Sequence, residues 1–175
     1  MINKNINGED ITFTTTLSEA TLPQIAKYNA LIVDDTIDNL DKAIKVLAIF
    51  GNTTEDTIEC LDIDDLLSIY TTISTHETDL NESLADMVYT VNDRTFRVTS
   101  KNFSVKEISM IKKAIAKDTF EYIIDLAAIL YKEDGKDNHY LEEVLNEKKL
   151  LFRSMTYDYI VYHLLNLNQA FEKLA

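Results

Sequence analysis

The chain has 175 residues, a single cysteine and a formal net charge of −13 at pH 7. One cysteine excludes an internal disulfide, and the charge disfavours direct binding to nucleic acid or to an acidic membrane surface, since each needs a basic patch. No window reaches the roughly 18 apolar residues of a transmembrane helix, and the polar first residues lack the apolar segment of a secretion signal.

The charge is distributed unevenly along the chain. Residues 1–86 contain four lysines and 17 acidic residues, a net charge of −13, whereas residues 87–175 contain 13 basic and 13 acidic residues and are neutral. An acidic half favours binding to a basic protein surface, including a basic face of a homologous subunit. The alternative is that the charge only keeps the protein in solution.

Residues 1–10 are polar, and we expect a flexible or docking N-terminal tail. Residues 11–16, ITFTTT, are β-branched and aromatic and predict a short strand. Ser18 or Thr21 can cap the first helix, which would carry Pro23 in its first turn.

Three helices are expected between this first helix and residue 75. One begins at Asp35 or Thr36 and ends at Gly51, a short one is capped by Thr53 or Thr54, and another begins within residues 62–65. Their apolar residues recur at helical spacing and predict faces that point into the core. These residues include Ile37, Leu40, Ile44, Leu47, Ile58, Leu66, Leu67, Ile69 and Ile73.

The pattern changes after residue 75. Residues 76–86 are polar and predict a linker, and residues 87–98 alternate around Asn92 and Asp93, which tolerate positive φ. This alternation predicts a β-hairpin at 87–98. A lone hairpin is only marginally stable, so we expect it to pack on the helices or to pair with residues 11–16.

The second half is predicted to be mainly helical. Ser104 and Glu107 form a capping-box pattern, and residues 118–131, DTFEYIIDLAAILY, are the most apolar run and predict the central helix. A loop at 132–138, a helix over 140–153 and a last helix from Thr156 or Asp158 follow. Five residues are expected to be buried: Leu47, Ile123, Ala127, Leu130 and Phe152.

These elements predict a mainly α fold: a compact, bundle-like domain of roughly seven or eight helices with a small β-hairpin or three short strands. Residues 11–175 would form a single domain. No glycine-rich phosphate loop, nucleophile motif or metal-ligand spacing occurs, and the paired acids fit helix caps better than a catalytic site. We therefore expect no catalytic residues, no cofactor and no metal, and we do not expect an enzyme.

Two groups of residues are candidates for binding partners. Acidic side chains in the first half would meet a basic protein surface, and tyrosines near the C-terminus would supply apolar anchors. The alternative for the tyrosines is that their rings wedge between helices. The candidates are Asp34, Asp35, Asp38, Asp41, Asp64, Asp65, Tyr157, Tyr159 and Tyr162.

The order of three segments resembles a known class of proteins. In the first segment, a helix ending at glycine precedes a Thr-capped short helix: KAIKVLAIFGNTTEDTIECLDIDDLLSIY. The second segment is a small β element, MVYTVNDRTFRV. In the third, an apolar helix leads through a loop to a Glu/Lys-rich helix: TFEYIIDLAAILYKEDGKDNHYLEEVLNEKKLLFRSM. This order is similar to tail-assembly-chaperone-like and accessory morphogenesis proteins of tailed bacteriophages, over residues 11–174.

The resemblance implies a non-enzymatic protein that binds phage structural or tape-measure proteins, either in the host bacterial cytoplasm during assembly or in the virion. Chaperones of this kind are thought to coat apolar segments of the tape-measure protein. A homo-oligomer is a further expectation. The alternative function is an acidic inhibitor that mimics nucleic acid, which would need carboxylates spaced like phosphates on one exposed face.

Overall fold

The computed structural model describes residues 1–75, 88–98, 104–117, 121–137 and 139–164. The protein is mostly helical with small antiparallel β elements, which confirms the predicted fold class. Its contacts cluster into two compact units. Unit 1 comprises Met1–Ala20 and Gln24–Asp79, and unit 2 comprises Thr21–Pro23 and Leu80–Ala175. The single domain over 11–175 stays a prediction.

Unit 1 begins with a β-hairpin. Strand β1 (Ile2–Ile6) pairs antiparallel with β2 (Glu9–Phe13), so that Ile2 lies opposite Phe13. The turn between them is Asn7-Gly8, and both residues have positive φ, 52° and 90°. Residues 2–6 and 9–10 therefore form an ordered hairpin and not a flexible tail, while the alternative of a docking role for residues 1–10 stays a prediction. Ile2, Lys4 and Ile6 alternate with exposed asparagines, and Asn-Gly is a strong hairpin turn signal.

The rest of unit 1 is helical. Helix α1 spans Leu22–Ile32, with its first two residues in unit 2, and α2 (Asn39–Gly51), α3 (Glu55–Ile58) and α4 (Ile63–Thr75) follow. Helix α2 begins later than predicted because Asp38 is its N-cap. Thr54 caps α3, as predicted.

The hairpin packs tightly against α2 in unit 1. Gly51 is the last residue of α2, and Asn52 after it takes the left-handed conformation at φ 49°. A Cβ at Gly51 would lie 2.8 Å from the Phe13 ring, so glycine is needed here for close approach. The core of this unit includes Phe13, Leu47, Phe50, Ile58, Ile69 and Ile73, all at most 2% exposed.

Unit 2 contains a three-stranded antiparallel sheet. Strands β3 (Val88–Val91) and β4 (Arg94–Arg97) pair around Asn92 and Asp93, at φ 49° and 59°. The predicted hairpin is thereby confirmed for 88–98. A third strand, β5 (Lys132–Glu133), pairs with β4 at the start of the predicted loop, and residues 134–137 are loop as predicted. The predicted partner for the hairpin, residues 11–16, instead contributes to β2.

The helices of unit 2 surround the most apolar segment of the chain. Helix α5 (Val105–Ile115) precedes α6 (Tyr122–Leu130), and α7 (Glu142–Leu151) ends in a short 3-10 turn at Phe152–Ser154. Residues 158–164 are again helical. Seven of the nine residues of α6 are buried, which confirms its predicted central position in this unit.

All five residues predicted to be buried are at most 2% exposed: Leu47 in unit 1, and Ile123, Ala127, Leu130 and Phe152 in unit 2. Several predictions lie outside the residues that the structure describes. They are the linker at 76–86, the first hairpin residue, the first three residues of the predicted central helix, and the last helix beyond 164.

Candidate protein-binding surfaces

Four of the candidate acids lie around the start of α2. Asp34 accepts hydrogen bonds from the backbone N–H and the hydroxyl of Thr36, at 2.9 and 2.6 Å, and these bonds lower the pKa of Asp34. Asp38 accepts from the backbone N–H groups of Asp41 and Leu40, at 3.1 and 2.9 Å, which lower its pKa. Asp35 and Asp41 are exposed, and their carboxylates make no ion pair with another described residue.

The other two candidate acids lie in the first turn of α4. Asp64 is exposed, whereas Asp65 forms an ion pair with Lys4 on β1 at 2.6 Å. Asp62 accepts from the backbone N–H of Asp65 at 2.9 Å and so caps the helix. The predicted acidic face therefore contains two kinds of carboxylate: some cap or brace the N-termini of helices, and the others face solvent.

Exposed apolar side chains accompany these acids. Val33 and Leu40 are 63% and 49% exposed beside the first group, and Ile63 and Leu67 are 54% and 48% exposed beside the second. The sequence prediction that Leu40 and Leu67 face the core is wrong. Leu66 and Leu67 are adjacent on one helix, so they point in different directions, and it is Leu66 that is buried.

The candidate tyrosines are packed within unit 2. Tyr159 is half-buried with its ring edge-on to Tyr89 at 5.2 Å, and its backbone carbonyl accepts a 2.6 Å hydrogen bond from the hydroxyl of Tyr131. Burial raises the pKa of Tyr157 and of Tyr159. Tyr162 is half-buried and packs edge-on against His163 at 5.7 Å. The three rings are therefore only partly exposed on unit 2, and both the anchoring role and the packing of the rings between helices stay predictions.

Unit 2 also contains polar clusters that the sequence did not reveal. Arg94 on β4 binds Glu133 on β5 through two guanidinium nitrogens and binds Glu147 on α7 through a third. Hydrogen bonds to Glu133 and then Glu147 raise the pKa of Arg94. Because one side chain joins two strands and a helix, this cluster is part of the scaffold of the unit.

A second cluster surrounds Glu107. Its carboxylate accepts from the Tyr140 hydroxyl at 2.6 Å and from the Ser104 backbone N–H at 2.7 Å, and it pairs with Lys132 at 3.0 Å. Burial alone would raise the pKa of Glu107, but these partners outweigh it and lower the pKa to about 2. The predicted capping box is present, and it extends into a partly buried polar network.

Lys148 is fully buried on α7. Its ammonium group donates to the backbone carbonyls of Ala128 and Tyr131, each at 2.9 Å, and of His139 at 3.3 Å. Burial lowers the pKa of Lys148 to about 8, and the three carbonyl acceptors match the three N–H donors of the ammonium group. Its position at the carboxyl end of α6 is favourable for a cation.

A small pocket opens among α5, α6 and α7, and we call it the lysine-rimmed pocket. Its volume is about 230 Å³. Lys117 and Lys149 pair with Asp125 at 2.9 and 2.7 Å, and Lys113 makes no ion pair with a residue that the structure describes. The remaining lining residues are Met110, Ala114, Ile129 and Leu145. The sequence reasoning missed this site because lysines at the end of α5 suit the helix dipole equally well.

No arrangement for metal binding is present in the described part of the chain, where no three His, Cys, Asp or Glu residues are placed to hold an ion. Cys60 is exposed, and its thiol donates to the backbone carbonyl of Asp56 at 3.3 Å. No helix within the described ranges is long and apolar enough to cross a membrane.

Comparisons with protein-family models, with curated proteins and with solved structures found no match.

Proposed function

We propose that this chain is a non-enzymatic bacteriophage assembly or structural protein that works by binding other proteins. The observation that carries the proposal is the surface around the start of α2, which we call the acidic patch. It consists of Val33, Asp35, Leu40 and Asp41, where two exposed apolar side chains accompany two carboxylates without an ion pair among the described residues.

A mixed surface of this kind suits a basic protein partner. The carboxylates would attract a positively charged face and raise the association rate, while Val33 and Leu40 would bury apolar area once the complex forms. The partner class we propose is a phage structural or tape-measure protein with a basic face. The chain would act in the host bacterial cytoplasm during assembly or as a component of the virion.

The rival function, mimicry of nucleic acid, is less well supported by the same residues. Asp38 and Asp62 accept hydrogen bonds from backbone N–H groups at the starts of α2 and α4. Asp65 is paired with Lys4. A mimic needs its carboxylates free and regularly spaced, whereas these three are engaged by the protein itself.

The test is affinity capture from infected bacterial cells, followed by binding measurements with the purified partner. We expect structural or tape-measure proteins to be captured. With Asp35→Asn and Asp41→Asn together, the association rate should fall, and its decrease with added salt should become shallower. Capture of a nuclease or polymerase in their place would favour mimicry and contradict the proposal.

The matched control is Glu142→Gln and Glu143→Gln together. Both glutamates are exposed acids in the first turn of α7, so the control removes two charges, as the acidic-patch variant does. The control should leave the association rate and its salt dependence unchanged. Equal effects from the control and the acidic-patch variants would show that net charge alone matters, and the patch would then be solubilising surface.

A further inference from the structure

The lysine-rimmed pocket has the size of an anchor site for a protein side chain. Its volume of about 230 Å³ lies below the roughly 300–1,000 Å³ of typical small-molecule sites. The apolar lining from Met110, Ala114, Ile129 and Leu145 can accept one large aliphatic or aromatic side chain. An interface that buries such an anchor in a pocket concentrates its binding energy there.

The charges at the rim select an acidic occupant. Three lysines and one aspartate line the pocket, so its local charge is positive. Asp125 neutralises part of that charge through Lys117 and Lys149, and Lys113 is exposed and has no ion-pair partner within the described residues. An apolar side chain flanked by a carboxylate would therefore pack against the apolar lining and pair with the lysines at the rim.

The chain itself carries a surface of this chemistry, on unit 1. Ile63 and Leu67 are 54% and 48% exposed and lie four residues apart on α4, so they share one helical face. Asp64 precedes Leu67 by three residues and is exposed, which places a carboxylate next to the leucine. We call these three residues the acidic α4 face.

We propose that the acidic α4 face of one copy docks into the lysine-rimmed pocket of a second copy. Leu67 or Ile63 would fill the apolar pocket, and Asp64 would approach Lys113. The two surfaces differ, so the contact is heterologous, and repetition of it gives a closed ring or an open chain of subunits. This inference goes beyond the proposed function because it concerns the purified chain alone and requires no outside partner.

Sedimentation of the purified full chain over a concentration series tests the proposal. We expect self-association that weakens as salt is raised. Leu67→Glu should impair the acidic α4 face, and Lys113→Glu should impair the lysine-rimmed pocket. Each variant alone should self-associate about tenfold or more weakly than the parent chain. Both residues are exposed, so neither change disturbs a buried contact, and circular dichroism should confirm unchanged folding.

Mixing the two variants gives the decisive result. The Lys113→Glu chain keeps an intact face and the Leu67→Glu chain keeps an intact pocket, so a mixture can form one intact interface. We expect a one-to-one dimer that does not grow further. A monomeric parent chain at all concentrations, or a mixture that stays monomeric, would overturn the proposal.

Two controls separate this contact from the acidic patch. Leu40→Glu places the same charge at a leucine that is 49% exposed on α2, compared with 48% for Leu67. Lys136→Glu reverses an exposed lysine away from the pocket. Neither should alter self-association, and equal weakening by either would contradict the assigned contact. Loss of partner capture in Leu40→Glu with normal self-association would show that the two proposals succeed or fail separately.

Discussion

The two units use their charged residues differently. In unit 1, Asp35, Asp41 and Asp64 face solvent, and Lys4–Asp65 is an ion pair whose side chains are each 35% exposed. In unit 2, buried Lys148 and Glu107 bind several partners each. The buried charges of unit 2 therefore stabilise its fold, whereas much of the charge in unit 1 is left for solvent or for partners.

The largest effect should come from the apolar core of unit 2. Leu130 at the end of α6 is 2% exposed, and Leu130→Ala should lower the free energy of unfolding of unit 2 by about 2–5 kcal/mol, through lost burial and the cavity left behind. Urea denaturation measures this loss. The control is Leu150→Ala, at a side chain that is 69% exposed, and a similar loss there would contradict the central position of Leu130.

A smaller but still large effect is expected at Lys148. Lys148→Met keeps most of the apolar stem but removes the donor shared by the carbonyls of Ala128, Tyr131 and His139. We expect a loss of about 2–4 kcal/mol in the free energy of unfolding of unit 2. Lys149→Met next to it removes an ion pair with Asp125 and should cost about 1 kcal/mol or less. Equal losses of unfolding free energy in the two variants would mean that Lys148 stabilises the fold no more than a surface lysine does.

Much of the fold can be predicted from the sequence, and the exceptions have physical causes. Residues 118–131 are apolar around most of the helix, so central burial follows, and Asn92-Asp93 between alternating residues predicts a hairpin. The hairpin β1–β2 was missed, although Asn7-Gly8 is at least as good a turn signal, because asparagines and a lysine dilute the alternation. Strand β5 has two residues and carries no periodicity.

The candidate surfaces are harder to predict than the elements. Helical spacing places Leu66 and Leu67 in one broad stripe, and only the packing decides that Leu66 is buried and Leu67 exposed. The burial of Lys148 depends on where the carboxyl end of α6 lies relative to α7, which is a tertiary relation. The acidic character of residues 1–86 can be read from the sequence. Which of these carboxylates cap helices and which face solvent follows only from the three-dimensional structure.

The Glu107 cluster gives unit 2 a dependence on acid pH. The pKa of Glu107 is lowered to about 2 from 4.5, so between these values the unfolded chain binds more protons than the folded one. The stabilisation is complete above about pH 4.5 and is lost as the pH falls towards 2. Glu107→Gln should cost about 1–3 kcal/mol at pH 6 and much less at pH 3.

Urea denaturation of both chains at the two pH values measures this difference. Glu143→Gln is the control, because Glu143 is an exposed acid in the first turn of α7. It should change the free energy of unfolding by little at either pH. A Glu107→Gln chain that lost as much stability at pH 3 as at pH 6 would show that the carboxylate charge is not what its partners stabilise.

The smallest effect should come from the exposed ion pair of unit 1. Lys4 and Asp65 are 2.6 Å apart, but each side chain is 35% exposed, so solvent screens most of their attraction. Lys4→Met should lower the free energy of unfolding of unit 1 by about 1 kcal/mol or less, and the difference from the parent chain should shrink as salt is raised. The comparison variant is Arg94→Met, which removes three hydrogen bonds to Glu133 and Glu147. Because the Glu133 side chain is only 11% exposed, this variant should lose more unfolding free energy than Lys4→Met, and the loss should depend less on salt. Equal losses and equal salt dependence at the two sites would contradict the division of roles between the units, since the charges of unit 1 would then stabilise the fold as strongly as those of unit 2.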